Sequence, residues 1–270
     1  MKAYARKRLI LFLFLLLFCV SLQALIEERS RVSVLKEDTC CQDDFRAQHL
    51  TPKLYEELES RAENGESFAD LLTVTMLCGD FFPDKIFADR KAFLKYKPKE
   101  YSFLKKCYEA VWADLSCFPI PSRDISYENT FGEPRTFAGE RLHEGTDLFG
   151  KETASGYYPI LSMTDGYIEK IGWLPLGGYR VGIRAPSGGY FYYAHLSEYE
   201  KDFYIGEEIS AGDILGYMGN TGYGAEGTEG QFPVHLHLGI YIRTQREKEL
   251  SVNPYWVLRT MEKKIRKYTY

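Results

Sequence analysis

Cysteine is absent from more than half of this 270-residue chain, because none of its six cysteines lies beyond position 117. The six stand at positions 19, 40, 41, 78, 107 and 117. No Cys-x-x-Cys pair occurs among them, which argues against the zinc modules that are built from such pairs. Five cysteines follow residue 26, an odd number, so at least one thiol is free or pairs with another chain. The sequence leaves open whether a disulfide forms within residues 40–117.

The chain also lacks a basic central region of the kind that binds nucleic acid. The formal net charge is −4, but residues 1–26 and 259–270 each carry +4, which leaves −12 on residues 27–258. Such an acidic body repels a phosphate backbone, whose binding depends on lysine and arginine contacts, so DNA and RNA are excluded as partners. Hydrophobic residues make up 45% and charged residues 27%. This balance is that of a globular chain and excludes a disordered or collagen-like one.

The N-terminal segment joins a basic start to an apolar run. Four basic residues precede Leu9–Val20, twelve apolar residues without a break, and the apolar character continues to Ile26. This pattern is typical of a signal peptide or an uncleaved signal anchor over residues 1–26. Residues 9–26 are near the lower length limit for crossing a hydrocarbon layer of about 30 Å. The cleavage cue at Ala24 is weak, so both alternatives stay open, and both predict that the remaining chain lies outside the cytoplasm.

Residues 27–118 are predicted to form a small helical region. A Thr-Pro start at 51–52 and glycines after the apolar segments are typical helix boundaries. The pattern predicts four helices, over 52–64, 66–78, 83–96 and 100–117. Its single histidine, His49, is interpreted as structural or solvent-facing. The role of the region is left open between binding a protein partner and acting as a spacer.

The sequence pattern changes after residues 119–122. Two prolines among these four residues stop the helical pattern and predict a stiff linker. Across 123–258 glycine recurs every few residues, and short β-type runs alternate with turns. The runs are Tyr158–Met163, Gly166–Trp173, Tyr179–Ala185, Tyr190–His195, Ile209–Met218 and His235–Arg243. The sequence therefore predicts an α+β protein, in which a β domain follows the helices and a basic tail occupies 259–270.

Four of the five histidines lie in the β region, and two of them form a strand motif. In the sequence Val-His-Leu-His-Leu at 234–238, His235 and His237 point to one side of a strand while Leu236 and Leu238 point to the other. Two imidazoles on one face suit a metal ion or a proton relay. The alternative is a chance pair on a solvated strand face.

A second motif is His-Glu-Gly-Thr-Asp at 143–147. Two ligands of one zinc ion lie about 2.0–2.2 Å from it, whereas four extended residues would separate His143 from Asp147 by about 13 Å. The segment must therefore bend, and Gly145 permits this. A helical His-Glu-x-x-His protease motif is excluded, because position 147 is aspartate and glycine recurs around it.

These motifs together supply a complete site. Three nitrogen or oxygen ligands and one open water position make a catalytic zinc site. His143, Asp147 and one member of the His235/His237 pair provide three ligands. His195 and the other member of the pair remain to handle protons and charge.

The order of motifs resembles the M23 family of zinc metallopeptidases, of the lysostaphin and LytM type. The matching stretches are His143–Asp147, Tyr193–Leu196, Gly212–Gly222 and His235–His237. The resemblance covers about 123–258 and does not extend over 27–118. It implies a small, mostly antiparallel β fold with a groove walled by loops.

The resemblance also implies roles for individual residues. His143, Asp147 and His237 would bind one zinc ion, and His195 and His235 would be the catalytic pair. The implied substrate is bacterial cell-wall peptidoglycan, cut at a peptide bond of the stem or the cross-bridge. The implied location is the cell wall, or the outer face of the cytoplasmic membrane if residues 9–26 stay as an anchor.

Two departures from the family pattern bear on specificity and activity. Leu238 and Gly239 follow His237 where the family often has an aromatic residue and a glutamate. The loop over 223–234 is longer than usual, and we expect it to line the groove. Two alternatives to an active endopeptidase are kept: a non-catalytic protein that binds the wall, activates an amidase or bridges membranes, and a structural zinc module.

Overall fold

The computed structural model describes residues 2–82, 85–136 and 139–268, and it confirms the predicted α+β fold class. The helices are α1 (Lys2–Val32), α2 (Asp43–Arg46), α3 (Pro52–Glu63), α4 (Phe68–Cys78), α5 (Lys91–Tyr96), α6 (Pro98–Trp112) and α7 (Tyr255–Met261). Short 3-10 turns occupy Thr39–Cys41 and Glu262–Lys264. All six cysteines are free thiols in this structure.

Two helices of the predicted bundle, α3 and α4, begin at residues whose side chains cap them. The hydroxyl of Thr51 accepts the backbone N–H of Leu54, and Pro52 occupies the first turn of α3. Ser67 caps α4 in the same way. The helix predicted over 83–96 is present only as α5, and its first two residues lie outside the described part of the chain. Residues 85–90 are non-helical, and there the Thr75 hydroxyl bonds both backbone groups of Phe87.

The first helix stands apart from the packed body. An 18-residue window within Tyr4–Val32 has a mean hydropathy of 2.9, and none of it is buried by the rest of the chain. By length and composition α1 could cross a membrane, and it is equally compatible with a signal sequence. Its C-terminal end joins the body, because Val32 is buried and the Tyr96 hydroxyl lies 3.0 Å from a carboxylate oxygen of Glu28.

Ten of the twelve strands in the described residues form one antiparallel sheet. The strands are β1 (Ile125–Tyr127), β2 (Pro134–Arg135), β3 (Arg141–Leu142), β4 (Thr146–Gly150), β5 (Pro159–Leu161), β6 (Gly166–Leu174), β7 (Gly178–Arg184), β8 (Tyr190–Tyr199), β9 (Glu208–Ile209), β10 (Ile214–Met218), β11 (Leu236–Ile242) and β12 (Leu250–Val252). The central order is β1-β4-β11-β8-β7-β6-β9; β10 pairs with β5 and β8, and β12 pairs with β11. Strands β2 and β3 form a separate hairpin that flanks the site described below.

The helical region and the sheet share one hydrophobic core. The Arg46 guanidinium donates to the Ser251 carbonyl at 3.0 Å and to its hydroxyl at 2.9 Å, and the Arg46 carbonyl accepts the N–H of Asn253. These bonds attach α2 to strand β12, the neighbour of β11. Residues of the basic tail contact α3, where Lys264 lies 3.1 Å from Glu59. The helices therefore brace the sheet from the side of β12 and α7.

Gly189 is the closest backbone approach between α6 and the sheet. A Cβ atom at this position would lie 1.9 Å from the carbonyl oxygen of Ala110 in α6. We therefore expect Gly189→Ala to lower the free energy of unfolding by about 1–3 kcal/mol, as overpacking does. Denaturant unfolding of the full chain in detergent would measure it. Lys106→Ala, an exposed position of α6, is the control, and equal stability of the two variants would contradict this packing.

Candidate metal centre

Strand β11 presents the histidine pair as the sequence predicted. Leu236 and Leu238 are fully buried in the core, while His237 points to the opposite face. In the sheet His237 is paired with Asp147 of β4 on one side and with Ala194 of β8 on the other. The pairing brings together a histidine and an aspartate that are 90 positions apart in sequence.

The segment from His143 to Asp147 bends over His237, and Gly145 makes the bend possible. A Cβ atom at position 145 would lie 2.6 Å from Cε1 of His237 and 2.5 Å from the carbonyl oxygen of Leu238. Contacts this short do not occur for real side chains, so only glycine fits. The predicted bend is therefore present, and it packs directly against the His237 imidazole and the Leu238 carbonyl.

Three donor atoms meet at the end of β4. Asp147 Oδ1 lies 3.1 Å from His143 Nε2 and 2.9 Å from His237 Nδ1, and the two nitrogens are 3.2 Å apart. In a tetrahedral site with bonds of about 2.0–2.2 Å, donor atoms are separated by about 3.3–3.6 Å. The triangle is slightly tighter than that geometry. These residues could hold a metal ion.

Neighbouring groups set the charge and the orientation of these donors. Burial alone would raise the pKa of Asp147, but its hydrogen bonds with His143 and His237 hold that pKa well below the ordinary value. Nδ1 of His143 lies 2.8 Å from Arg135 Nη2 and 3.1 Å from the Thr130 carbonyl, and these contacts orient the ring so that Nε2 faces Asp147. Arg135 Nη2 donates to the second carboxylate oxygen of Asp147 at 2.8 Å.

His195 and His235 lie beside the triangle as buried, neutral rings. Burial lowers the pKa of His195 to about 3, and it lowers that of His235 as well. Nδ1 of His195 donates to the Thr221 carbonyl at 2.8 Å, and Nδ1 of His235 donates to the Pro233 carbonyl at 2.8 Å. Each Nε2 therefore keeps a lone pair; that of His235 lies 3.7 Å from Asp147 Oδ1.

The backbone of His195 is in the left-handed region, with φ +64°. Such a conformation in a non-glycine residue is uncommon and is typically retained where the surroundings fix it. Here the His195 N–H donates to the Gly177 carbonyl at 2.8 Å. The ring centroids of His195 and His235 are 4.8 Å apart as a result of this arrangement.

Aromatic side chains wall the five residues. Phe149 stacks on His235 at 5.1 Å, and Phe232 lies 4.6 Å from the ring of His195. The long loop over 223–234 contributes Tyr223, Gln231, Phe232 and Pro233 to the groove wall, as expected. The groove has a volume of about 940 Å³ and contains all five predicted site residues.

Sequence and structure comparisons place this site in a known family. The sequence model of peptidase family M23 matches residues 141–254. The crystal structure of a Ruminococcus gnavus protein named as a lytM-type glycyl-glycine endopeptidase is 39% identical and has a TM-score of 0.76. The alignment covers 89% of this chain and 98% of that one. The chain belongs to peptidase family M23.

Two further M23 relatives are similar over shorter stretches. The L-Ala–D-Glu endopeptidase of Bacillus subtilis strain 168 is 40% identical over 165 residues, which are 61% of this chain and 49% of that protein. The glycyl-glycine endopeptidase ALE-1 of Staphylococcus capitis is 32% identical over 83 residues, 30% of this chain and 21% of that protein. The chain thus spans about half or less of the length of these two relatives.

Some residues of this M23 site were not identified from the sequence. Arg135 reaches Asp147 from the β2–β3 hairpin, and two-residue strands leave no period-2 pattern to recognise. Phe149 follows Asp147 by two positions on β4, so its place on the same strand face could have been inferred once β4 was assigned. Both contacts depend on elements that the sequence analysis did not predict.

Gly145→Ala tests the crowded bend of this M23 site. The added methyl would collide with the His237 ring, so we expect affinity for a divalent metal ion to fall at least about 10-fold while the fold is kept. Metal content after dialysis, measured by plasma mass spectrometry, reports the loss. The control is Glu140→Ala, an exposed residue ahead of β3, which should keep its metal. Equal metal content in both variants would contradict the proposed contact.

Proposed function

We propose that this M23 peptidase is a zinc-dependent endopeptidase that hydrolyses peptide bonds in bacterial peptidoglycan outside the cytoplasm. The observation that carries the proposal is the triangle of donor atoms of His143, Asp147 and His237 beside two neutral histidines in an open groove. Membership of a peptidase family and endopeptidase names among its relatives support it.

The donor set fits zinc. Two imidazole nitrogens and one carboxylate oxygen, with no sulfur, are typical of catalytic zinc sites, which leave one position open. A zinc ion bound there would act as a Lewis acid, making water a stronger nucleophile and polarising the scissile carbonyl. His143, Asp147 and His237 would hold the ion, and Arg135 would keep the Asp147 carboxylate oriented through its second oxygen.

His195 and His235 are proposed to move protons. Each donates its Nδ1 proton to a backbone carbonyl, so each Nε2 is the basic atom that faces the groove. Nε2 can accept the proton that the attacking water loses and return it to the leaving amine. Burial disfavours a resting charge on either ring, which keeps both nitrogens available at neutral pH.

The groove has a volume of about 940 Å³, and aromatic side chains form part of its walls. The apolar helix α1 supports export or anchoring at the membrane, where the wall is the accessible polymer. A non-catalytic wall-binding, amidase-activating or bridging role needs no assembled donor triangle, and nothing in this groove favours it over hydrolysis. The three-donor site also argues against a structural metal module, because structural zinc sites fill the fourth coordination position with a protein ligand.

The proposal is tested by incubating the full-length chain in detergent with purified peptidoglycan, with and without a zinc chelator. Mass spectrometry of the soluble fragments should give peptides with new amino termini that vanish with chelator and return when zinc is added. Their masses identify the bond. Absence of release by a chain that holds one equivalent of zinc would contradict the proposal.

His195→Ala and His235→Ala separate proton transfer from metal binding. We expect each variant to lose about 10²- to 10⁴-fold in kcat while keeping its zinc, because general acid–base help is lost and the ligands are intact. His49→Ala, a histidine in the helical region that stacks on Trp256, is the matched control and should retain activity. Full turnover in zinc-loaded His195→Ala would contradict its assigned role.

A further inference from the structure

The groove continues past the metal centre along one face of the sheet. Tyr192 lines it next to His237, and Tyr241 and Tyr190 lie further along. The Tyr192 ring centroid is 6.0 Å from that of His237 and 6.3 Å from that of Tyr241. Strands β8 and β11 therefore give the groove an aromatic floor, on which a peptide can lie beyond the donor triangle.

Arg180 of β7 lies in this floor with part of its guanidinium group unpaired. Its Nε and Nη1 atoms are buried and have no hydrogen-bond partner among the residues that the structure describes. The other cations that line the groove are engaged: Lys170 pairs with Glu249, Arg135 pairs with Asp147, and Arg141 donates to the Tyr223 hydroxyl and lies over its ring. Arg180 is thus a cation without a carboxylate in the described groove.

The positive charge of Arg180 affects the pKa values of two neighbouring tyrosines. Burial raises the pKa of Tyr192 to about 12, and the positive charge of Arg180 opposes the shift. The same charge opposes the effect of burial on Tyr190. Buried guanidinium nitrogens without acceptors cost free energy, and an anionic group that enters the groove would remove this cost.

The sheet fixes the distance between Arg180 and the metal centre. His237 of β11 is paired with Ala194 of β8, and β7, which carries Arg180, is the next strand. Strands are spaced about 4.8 Å apart, so the backbones of Arg180 and His237 are separated by about 10 Å. An extended peptide advances about 3.3 Å per residue, which puts the arginine within about three residues of the scissile bond.

We infer that Arg180 binds a free carboxylate of the substrate within a few residues of the scissile bond, so that acidic stem peptides are preferred over glycine bridges. The inference rests on the proposed function and names its substrate class. A glutamate that continues a peptide through one carboxyl group keeps the other free, whereas a glycine inside a bridge has no free carboxylate. An L-Ala–D-Glu bond, the one in the name of the Bacillus subtilis relative, meets this requirement.

Two synthetic peptides test the inference. In the first, acetyl-L-Ala–D-Glu–L-Lys with an amidated C-terminus, the D-Glu is joined to lysine through its side-chain carboxyl, so that the carboxylate next to the bond is the one free carboxylate of the peptide. In the second, that carboxylate is a carboxamide. For the full-length, zinc-loaded chain we expect kcat/KM to be about 10- to 100-fold higher for the carboxylate peptide.

Arg180→Gln should remove most of this preference while the rate on the carboxamide peptide stays within a few fold. Arg123→Gln, which removes an exposed arginine outside the groove, should keep the preference. If Arg180→Gln retains the preference, or loses the same factor on both peptides, the inference is wrong.

Binding distinguishes this inference from the proposed function. Calorimetry of zinc-loaded His195→Ala should give at least about 10-fold tighter binding of the carboxylate peptide, and the added Arg180→Gln change should abolish the difference. Equal binding of the two peptides would overturn the inference even if peptidoglycan is cleaved. Preferential binding without any chelator-sensitive cleavage of peptidoglycan by the wild-type chain would support the arginine site and contradict the proposed function.

Discussion

The carboxylate of Asp147 is the contact on which the rest of the site depends. One oxygen meets His143 and His237 at 3.1 and 2.9 Å, and the other accepts from Arg135 at 2.8 Å. Burying an unpaired carboxylate costs free energy, so Asp147 needs these three partners to be stable in the site. Oδ1 of Asp147, the oxygen that contacts His143 and His237, also lies 3.7 Å from Nε2 of His235. The proposed metal ligands and the proposed proton-transfer group are therefore linked through one side chain.

The sheet order explains how residues far apart in sequence reach this carboxylate. Strand β11 lies between β4 and β8, and β7 follows β8, so a single face carries the donor triangle, the tyrosine floor and Arg180 in succession. The helical region contributes no side chain to the groove within the described residues. It contacts β12, α7 and the turn before β8, and so it supports the sheet from outside the site.

Strong local patterns were enough to predict much of this architecture. Alternation over Tyr190–His195 and His235–Arg243 predicted β8 and β11, and the motif order indicated the five residues that the structure brings together. The short strands β1 to β3 were missed because two or three residues carry no periodicity. Arg135 and Arg180 could not be recognised, since their neighbours are set by pairing between distant strands. Residues 85–90 were wrongly assigned to a helix, because the backbone of Phe87 bonds the distant Thr75 hydroxyl instead of a helical neighbour.

X-ray absorption at the zinc edge tests the central claim most directly. For the full-length chain loaded with one equivalent of zinc, the account predicts a first shell of nitrogen and oxygen only, at about 2.0–2.1 Å, with the outer-shell scattering of two imidazoles. Sulfur at about 2.3 Å would contradict it. That result would move the metal from the Asp147 site to the cysteines of the helical region.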